Sequence, residues 1–251
     1  MPRYALLMAY DGSDFSGWWR QKERRSVAGV CDAAFRRMGE NHAAPIGASR
    51  TDAGVHATGQ VAHVELERAW EPASLIKALA GHLPPDCACR SVAIVEDTWH
   101  AVHNTTGKTY TYAIDNGPVA DPFMARYAWR PPFRMEFSSL ATLAACIPGK
   151  REWSAFSRRG EYRIDTVRTI DRVAWLADGN RLVCTVSGDG FTYRLVRSLV
   201  GAMVACAHGT CSRSALEQAL AGTRTPASAQ QAPAHGLCLK HVHYATEPEW
   251  K

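Results

Sequence analysis

Residues Arg3 to Asp11 (RYALLMAYD) form a short apolar run closed by Asp11-Gly12-Ser13, a pattern that predicts a buried strand and then a turn. After Ser26, a residue type suited to capping a helix, apolar side chains recur at Val27, Val30, Cys31, Ala34, Phe35 and Met38, which is one helical face. A short strand around Ile46 ends near Ser49, Gln60 to Glu67 alternates as a half-buried strand does, Pro72 to Ala80 suits a helix with proline in its first turn, and Cys89 to Val95 suits another strand. The predicted order is β-α-β-β-α-β. From Gly107 it returns: strand Lys108 to Asp115, helix Ser139 to Ile147, strand Val167 to Leu176, an Asp178-Gly179-Asn180 turn, strand Leu182 to Ser187, helix Thr192 to Ala207 and strand Leu237 to Val242. An additional short helix, Ser214 to Ala221, precedes the last strand.

Two consecutive ferredoxin-like units follow from this pattern, an α+β fold with units expected at residues 1–104 and 105–251. Such a sheet covers one face with helices and leaves the other open, so two units side by side are expected to join into an extended, mainly antiparallel platform with a groove at the seam. The Gly117 to Arg134 stretch, with Pro118, Pro122, Pro131 and Pro132, reads as a long irregular loop of the second unit.

Composition narrows the class without naming a chemistry. With 251 residues, 46% hydrophobic and 21% charged, the chain is a folded globular protein rather than a disordered tail or a fibre. Its longest apolar stretch, Leu199 to Ala207, is too short to cross a bilayer, and its beginning lacks the basic-then-apolar pattern of a secretory signal. The expectation is a soluble, cytoplasmic protein. Eight cysteines scattered from Cys31 to Cys238 are expected as reduced thiols, and neither the Cys87/Cys89 nor the Cys206/Cys211 spacing has the matching second half of a zinc site.

The net charge of +5 is mild, but its distribution is uneven. Arg20, Lys22, Arg24 and Arg25 fall together, as do Arg158, Arg159 and Arg163, and between Asp189 and Glu217 the charges are the cations Arg194, Arg197 and Arg213. Clusters of this kind suit either a surface that tracks phosphates or a merely solvated face.

The most unusual segment is Gly47 to Gln60 (GASRTDAGVHATGQ), a polar, glycine-punctuated loop between two predicted strands with a single carboxylate, Asp52. Turn preferences alone account for Asp52 as a turn residue with Arg50 as its partner. Arg50 to Gln60 (RTDAGVHATGQ), however, resembles the signature of the TruA family of tRNA pseudouridine synthases. Further stretches are similar to family elements in the same order: Tyr10-Asp11-Gly12-Ser13 with Gly17-Trp18 and Arg20-Gln21, the Lys108-Thr109-Tyr110-Thr111-Tyr112 strand, Phe191 to Gly201 with Leu195-Val196-Arg197, and Ala234-His235-Gly236-Leu237. Together they span nearly the whole chain.

The resemblance implies isomerisation of uridine to pseudouridine in the anticodon stem-loop of tRNA, at positions 38 to 40, by a homodimer that uses no cofactor and touches no membrane. It makes Asp52 the catalytic aspartate, Tyr110 the aromatic that packs on the target uracil and Arg197 the cation that pairs with the aspartate, with the seam as catalytic cleft. The residue types fit the chemistry, because the carboxylate must be ionised to act as nucleophile or base and a nearby guanidinium keeps it so. Glycoside hydrolysis needs two carboxylates, whereas the uracil anion spreads its charge over two carbonyls and leaves with less help. Phosphate contacts are expected from Arg50, from Arg20, Lys22, Arg24 and Arg25, and from Arg158 and Arg159 beside Phe156.

Two departures from the family pattern stand out. Ser49 replaces the usual glycine before Arg-Thr-Asp, and His100-Ala101-Val102-His103-Asn104-Thr105 stands where many relatives carry His-Ala-Arg-Phe-Ser-Ala, so Val102 lacks a cation that His103 or Lys108 would have to supply. Two other readings remain open on sequence: a non-catalytic RNA-binding protein of paired ferredoxin-like units, and a metal-dependent hydrolase built on Asp52 and His56. His241 and His243 lie two apart on the last strand, and they and His56 are expected as structural histidines rather than metal ligands.

Overall fold

A computed structural model describes residues 1–156, 165–222 and 231–251. The chain is α+β and divides into two compact units, Met1–Thr106 with Cys238–Lys251, and Gly107–Leu237.

In the first unit, β1 (Arg3–Tyr10) runs antiparallel to β3 (His56–Glu65) and to β4 (Cys87–Val95), with Leu6 opposite Ala62 on one side and Val92 on the other. The two-residue β2 (Ile46–Gly47) adds to the far edge of β3, giving the order β4-β1-β3-β2 expected of a β-α-β-β-α-β unit. Helix α1 (Val27–Arg37) starts where the Ser26 hydroxyl accepts from the Gly29 N–H at 3.3 Å, and it stops before Gly39, whose φ of +83° few other residues adopt. Helix α2 (Pro72–His82) begins on its proline, where the missing N–H costs nothing, and packs on β4 and α1. Tyr4, Leu6, Met8, Trp18 and Phe35 are completely enclosed between these layers, each contributing about 2–3 kcal/mol by burial.

The pattern misreads β3 in one respect. The strand begins at His56 rather than Gln60 and is buried on both faces, not one. Its polar residues are inside because each has a dedicated partner: the Gln60 amide is occupied by Ser49, and Nδ1 of His63 accepts from the Ala101 N–H at 3.2 Å. Glu40 is likewise wholly buried, its carboxylate accepting from Glu67 N–H at 2.6 Å, Trp70 Nε1 at 2.8 Å and Arg68 Nε at 3.2 Å.

In the second unit, β5 (Thr105–Asp115), β8 (Arg181–Gly188), β7 (Val167–Asp178) and the short β6 (Gly149–Glu152) pair in that order, all antiparallel. The β7–β8 hairpin turns through Gly179 at φ +57° and Asn180, the residue pair a tight turn requires. Pattern reading misses β6 because Gly-Lys-Arg-Glu is four residues of charged edge with no hydrophobic alternation. Helix α3 (Phe137–Ala144) lies on β7 and against α4 (Leu195–Ala207), which α5 (Arg213–Leu220) also contacts. The Gly117 to Arg134 stretch is a loop, as expected, and Asp115 anchors it: its carboxylate accepts from Gly117 N–H at 3.0 Å and from Arg130 at 2.9 Å, while Arg130 also donates to the Gly117 carbonyl at 2.9 Å.

The expected division at residues 1–104 and 105–251 differs at the end of the chain. Cys238 and Leu239 of β9 (Leu237–Tyr244) pair in parallel with His56 and Ala57 of β3, so the terminal segment belongs to the first unit. A return of this kind depends on which strand edge is open in three dimensions, which chain order does not record. Among the described residues no helix is long and apolar enough to cross a membrane, and all eight cysteines are free thiols.

Candidate active site

The Gly47 to Gln60 loop is a rigid hairpin of backbone held from beneath, not a solvated excursion. Gln60, fully buried, donates from Nε2 to the Ser49 carbonyl at 2.7 Å and accepts at Oε1 from the Ser49 N–H at 3.1 Å, so one side-chain amide clamps both backbone groups of a single residue. Ser49 is held by that clamp through its backbone. The next anchor is Thr51, whose hydroxyl lies 2.7 Å from the Tyr10 hydroxyl and whose carbonyl accepts from the Trp18 N–H at 3.1 Å. Gly54 donates to the Phe15 carbonyl at 3.2 Å, and the Val55 N–H closes a turn onto the Asp52 carbonyl at 3.1 Å. Asp52 therefore stands on a backbone fixed on both sides, and its side chain is half-buried at the loop apex.

Two glycines make this approach possible. Gly17 has φ +93°, and a Cβ there would lie 2.5 Å from the Thr51 carbonyl oxygen and 3.1 Å from the Asp52 carbonyl carbon; at Gly12 a Cβ would lie 2.0 Å from the Val55 oxygen. The two segments touch backbone to backbone, which only glycine permits. His56 serves the same framework: its Nδ1 accepts from the Gly12 N–H at 2.9 Å and lies 3.1 Å from Asp11 Oδ1. Its ring is thus employed in holding the turn.

Arg50 is exposed, and its guanidinium stacks over the ring of Trp19 at 4.7 Å. Of the cationic cluster, Arg20 is paired with Asp32, and Arg25 forms two 2.7 Å hydrogen bonds with Asp86 while lying 4.0 Å over Phe15. Hydrogen bonds to those carboxylates hold both guanidinium groups firmly charged. Lys22 and Arg24 are exposed on the turn between them. Arg158 and Arg159 lie outside the described residues.

The second unit holds the other two expected site residues. Tyr110 is buried in β5 opposite Val186, with its ring edge-on to Phe191 at 5.1 Å. Tyr112, two residues on, is a core residue: its hydroxyl donates to the Pro233 carbonyl at 2.8 Å, its ring lies against Gly236, and burial pushes its pKa well up, opposed by the charge of Arg197. Arg197, in the first turn of α4, donates from Nε to the Ala232 carbonyl at 2.8 Å while its own carbonyl accepts from the Ala232 N–H at 3.1 Å. Just before α4, Arg194 adopts φ +65°, a left-handed conformation uncommon for a side-chain-bearing residue.

Val102 is exposed at the surface of the first unit, in a turn where His100 accepts at Nδ1 from the N–H groups of Val102 and His103 at 3.1 and 3.3 Å. The rings of His63, His100 and His103 lie in series with centroids 4.3 and 4.2 Å apart, each tilted against the next. His241 and His243 contact each other at 4.5 Å. Among the described residues no three His, Cys, Asp or Glu side chains are grouped as a metal ion requires. The residue that motif reading passed over is Trp19, whose indole the structure leaves exposed while that of Trp18 is buried; no signal in the sequence separates the two.

A sequence profile described as tRNA pseudouridine synthase matches residues 6–106 and 144–245. The chain is 35% identical over 245 residues to tRNA pseudouridine synthase A of Shouchella clausii, covering 97% of this chain and 94% of that protein. It is 36% identical over 247 residues to the protein of the same name from Methylacidiphilum infernorum, covering 98% and 97%. Among solved structures, a chain of a Cbf5-Nop10-Gar1 complex shows a TM-score of 0.39 at 12% identity, over 81% of this chain and 44% of that one, a likeness too distant to bear on the assignment. A profile matched through both units, and identity above a third along nearly the full length of proteins sharing one name, leave a single assignment: the chain is an enzyme of the tRNA pseudouridine synthase family.

Proposed function

We infer that this enzyme converts uridine to pseudouridine in the anticodon stem-loop of tRNA, at positions 38 to 40, with Asp52 as its catalytic carboxylate. The observation that carries this reading is the hairpin itself: Gln60, Thr51, Gly12 and Gly17 immobilise the backbone around one half-buried carboxylate. A rigidly aimed anion is what the reaction demands, since misplacement by an ångström sacrifices most of the advantage of bringing reacting groups together.

In this reading the ionised Asp52 either attacks C1′ of the target nucleotide or removes a sugar proton. The N1–C1′ bond breaks, the base turns in place and C5 bonds to C1′, whereupon the Asp52–C1′ ester breaks on the first route or the sugar proton is returned on the second; the proton on C5 departs to solvent and N1 takes one up. Arg197 pairs with the carboxylate and Tyr110 packs on the uracil face, roles we propose for residues that belong to the second unit. The ring carbonyls delocalise the leaving charge, so no cofactor is required. Extruding a stacked uridine costs a few kcal/mol, and stacking on one aromatic returns about 1–3 kcal/mol. Net affinity must then come from phosphate contacts, which we assign to Arg50 and the Arg20, Lys22, Arg24 and Arg25 cluster. Arg158 and Arg159 are further candidates, and a homodimer would present two such surfaces to one tRNA.

The test is tritium release from unmodified tRNA labelled at uridine C5, run in parallel on tRNA labelled at positions 38 to 40 alone and on tRNA labelled at its other uridines alone. Release that persists with chelator present is the expected result. Binding without release would leave an RNA-binding module, and release from other positions only would displace the anticodon assignment.

A further inference from the structure

Next to the proposed carboxylate the first unit displays a feature that the reaction as described does not use. Gly17, Trp18 and Trp19 run alongside Thr51 to Ala53, fixed there by the Trp18 N–H bond to the Thr51 carbonyl at 3.1 Å and by the glycine contact with the Asp52 backbone. Trp18 is wholly buried beneath Gly47, where a Cβ would lie 2.4 Å from its ring. With Trp18 locked in the core, the chain delivers Trp19 outward. That indole is 45% exposed, and the Arg50 guanidinium lies over it at 4.7 Å.

An exposed tryptophan is costly to leave in water, and a long arginine is costly to hold in one orientation. Each offsets the other's cost, because the ring quadrupole attracts the cation, and a guanidinium has five N–H donors to offer a further partner. The pair is thereby prepared for a ligand with both a flat apolar face and an anionic group close to it, which is the chemistry of a nucleotide in a strand. The neighbouring exposed Lys22 and Arg24 favour a polyanion over a neutral protein surface.

We propose that Trp19 is an RNA-binding residue: its indole is a shelf for a nucleobase beside the target uridine and at the same time positions Arg50 for that nucleotide's phosphate. The proposal rests on the reading of the protein as a tRNA-modifying enzyme acting at Asp52, and it adds a stacking contact outside the pocket.

The experiment measures the dissociation constant of unmodified tRNA from the full-length protein across a salt series for the wild type, Trp19→Ala, Trp19→Phe, Arg50→Ala and the Trp19→Ala/Arg50→Ala double variant, with melting curves as a check on folding. Loss of one stacked base weakens binding about five- to 150-fold. Trp19→Ala is expected to lose at least that much and to lower the salt slope part of the way toward the Arg50→Ala value, and Trp19→Phe should recover most of the loss. Arg50→Ala should lower the slope by about one phosphate contact, roughly 0.7–0.9. The double variant should lose less than the product of the single losses, because without the indole Arg50 is already displaced. In turnover, Trp19→Ala should raise KM more than it lowers kcat.

Affinity for Trp19→Ala within twofold of wild type overturns the proposal, as does a Trp19→Phe variant as weak as alanine. Weakened self-association with unchanged tRNA affinity overturns it too, in favour of a protein contact. Wild-type tritium release separates the two claims: Trp19-dependent tRNA binding without release leaves the shelf standing and the catalytic reading refuted, whereas release unaffected by Trp19→Ala does the reverse.

Discussion

A carboxylate asked to attack a sugar carbon or strip a proton from it works only as an anion, and asparagine keeps the size and polarity of aspartate while removing the charge. Asp52→Asn is accordingly expected to lower the single-turnover rate roughly 10⁴-fold or more, with tRNA affinity within a few-fold of wild type; near-normal turnover would remove Asp52 from the chemistry. Gly17→Ala probes the support rather than the anion. At φ +93°, with a Cβ 2.5 Å from the Thr51 oxygen, an added methyl must push the Asp52 backbone away. Its kcat should fall at least tenfold with KM little changed, and a variant with unchanged kcat would show that the backbone contact is not what aims the carboxylate. The motif made Asp52 and Arg50 legible in the sequence. Gln60 was legible only as a member of the motif, since nothing in the order of residues says that its amide grips Ser49 from both sides.

At the level of elements, buried polar residues pin the ends of strands and loops. Glu40 faces four donors on Glu67, Arg68 and Trp70, and although burial pushes its pKa up, those hydrogen bonds prevail and leave it below the ordinary carboxylate value. Glu40→Gln turns an acceptor oxygen into a donor aimed at other donors. We expect a loss of about 1–3 kcal/mol in denaturant unfolding, the cost of a buried polar group left unmatched; a midpoint unchanged from wild type would count against the network. The helices and hairpins were readable from periodicity, Ser26 as a cap and Gly179-Asn180 as a turn among them, because these signals are local. The double-sided burial of β3 was not, because it depends on Gln60 and His63 meeting partners 11 and 38 residues away.

For the molecule as a whole, two solution properties follow. Burial, then the neighbouring His100 and Arg3, push the His63 pKa down to about 4, and burial lowers His100 in the same direction. The unfolded chain protonates these rings near their ordinary value, about 6.5, while the folded protein resists. Their contribution to stability is therefore complete above about pH 6.5 and is lost progressively as pH falls toward 4. Melting temperature should decline across that interval, and His63→Gln, which keeps an acceptor for the Ala101 N–H, should flatten the decline; a variant with the wild-type profile would rule His63 out. RNA binding should also weaken steeply with salt. Because Arg20 and Arg25 are engaged with Asp32 and Asp86, replacing Lys22 and Arg24 by alanine should reduce the salt slope more than replacing Arg20 and Arg25. The opposite order would show that the internal pairs open on binding. Sequence by itself determined the α+β class, the repeated element order, the family and the identity of the loop bearing Asp52, since each is written in short-range patterns of residue type. Tertiary structure alone decided that β9 closes onto β3, that two of the four clustered cations are already paired, and that Trp18 turns inward while Trp19 turns out, because these depend on which surfaces meet once the chain has closed.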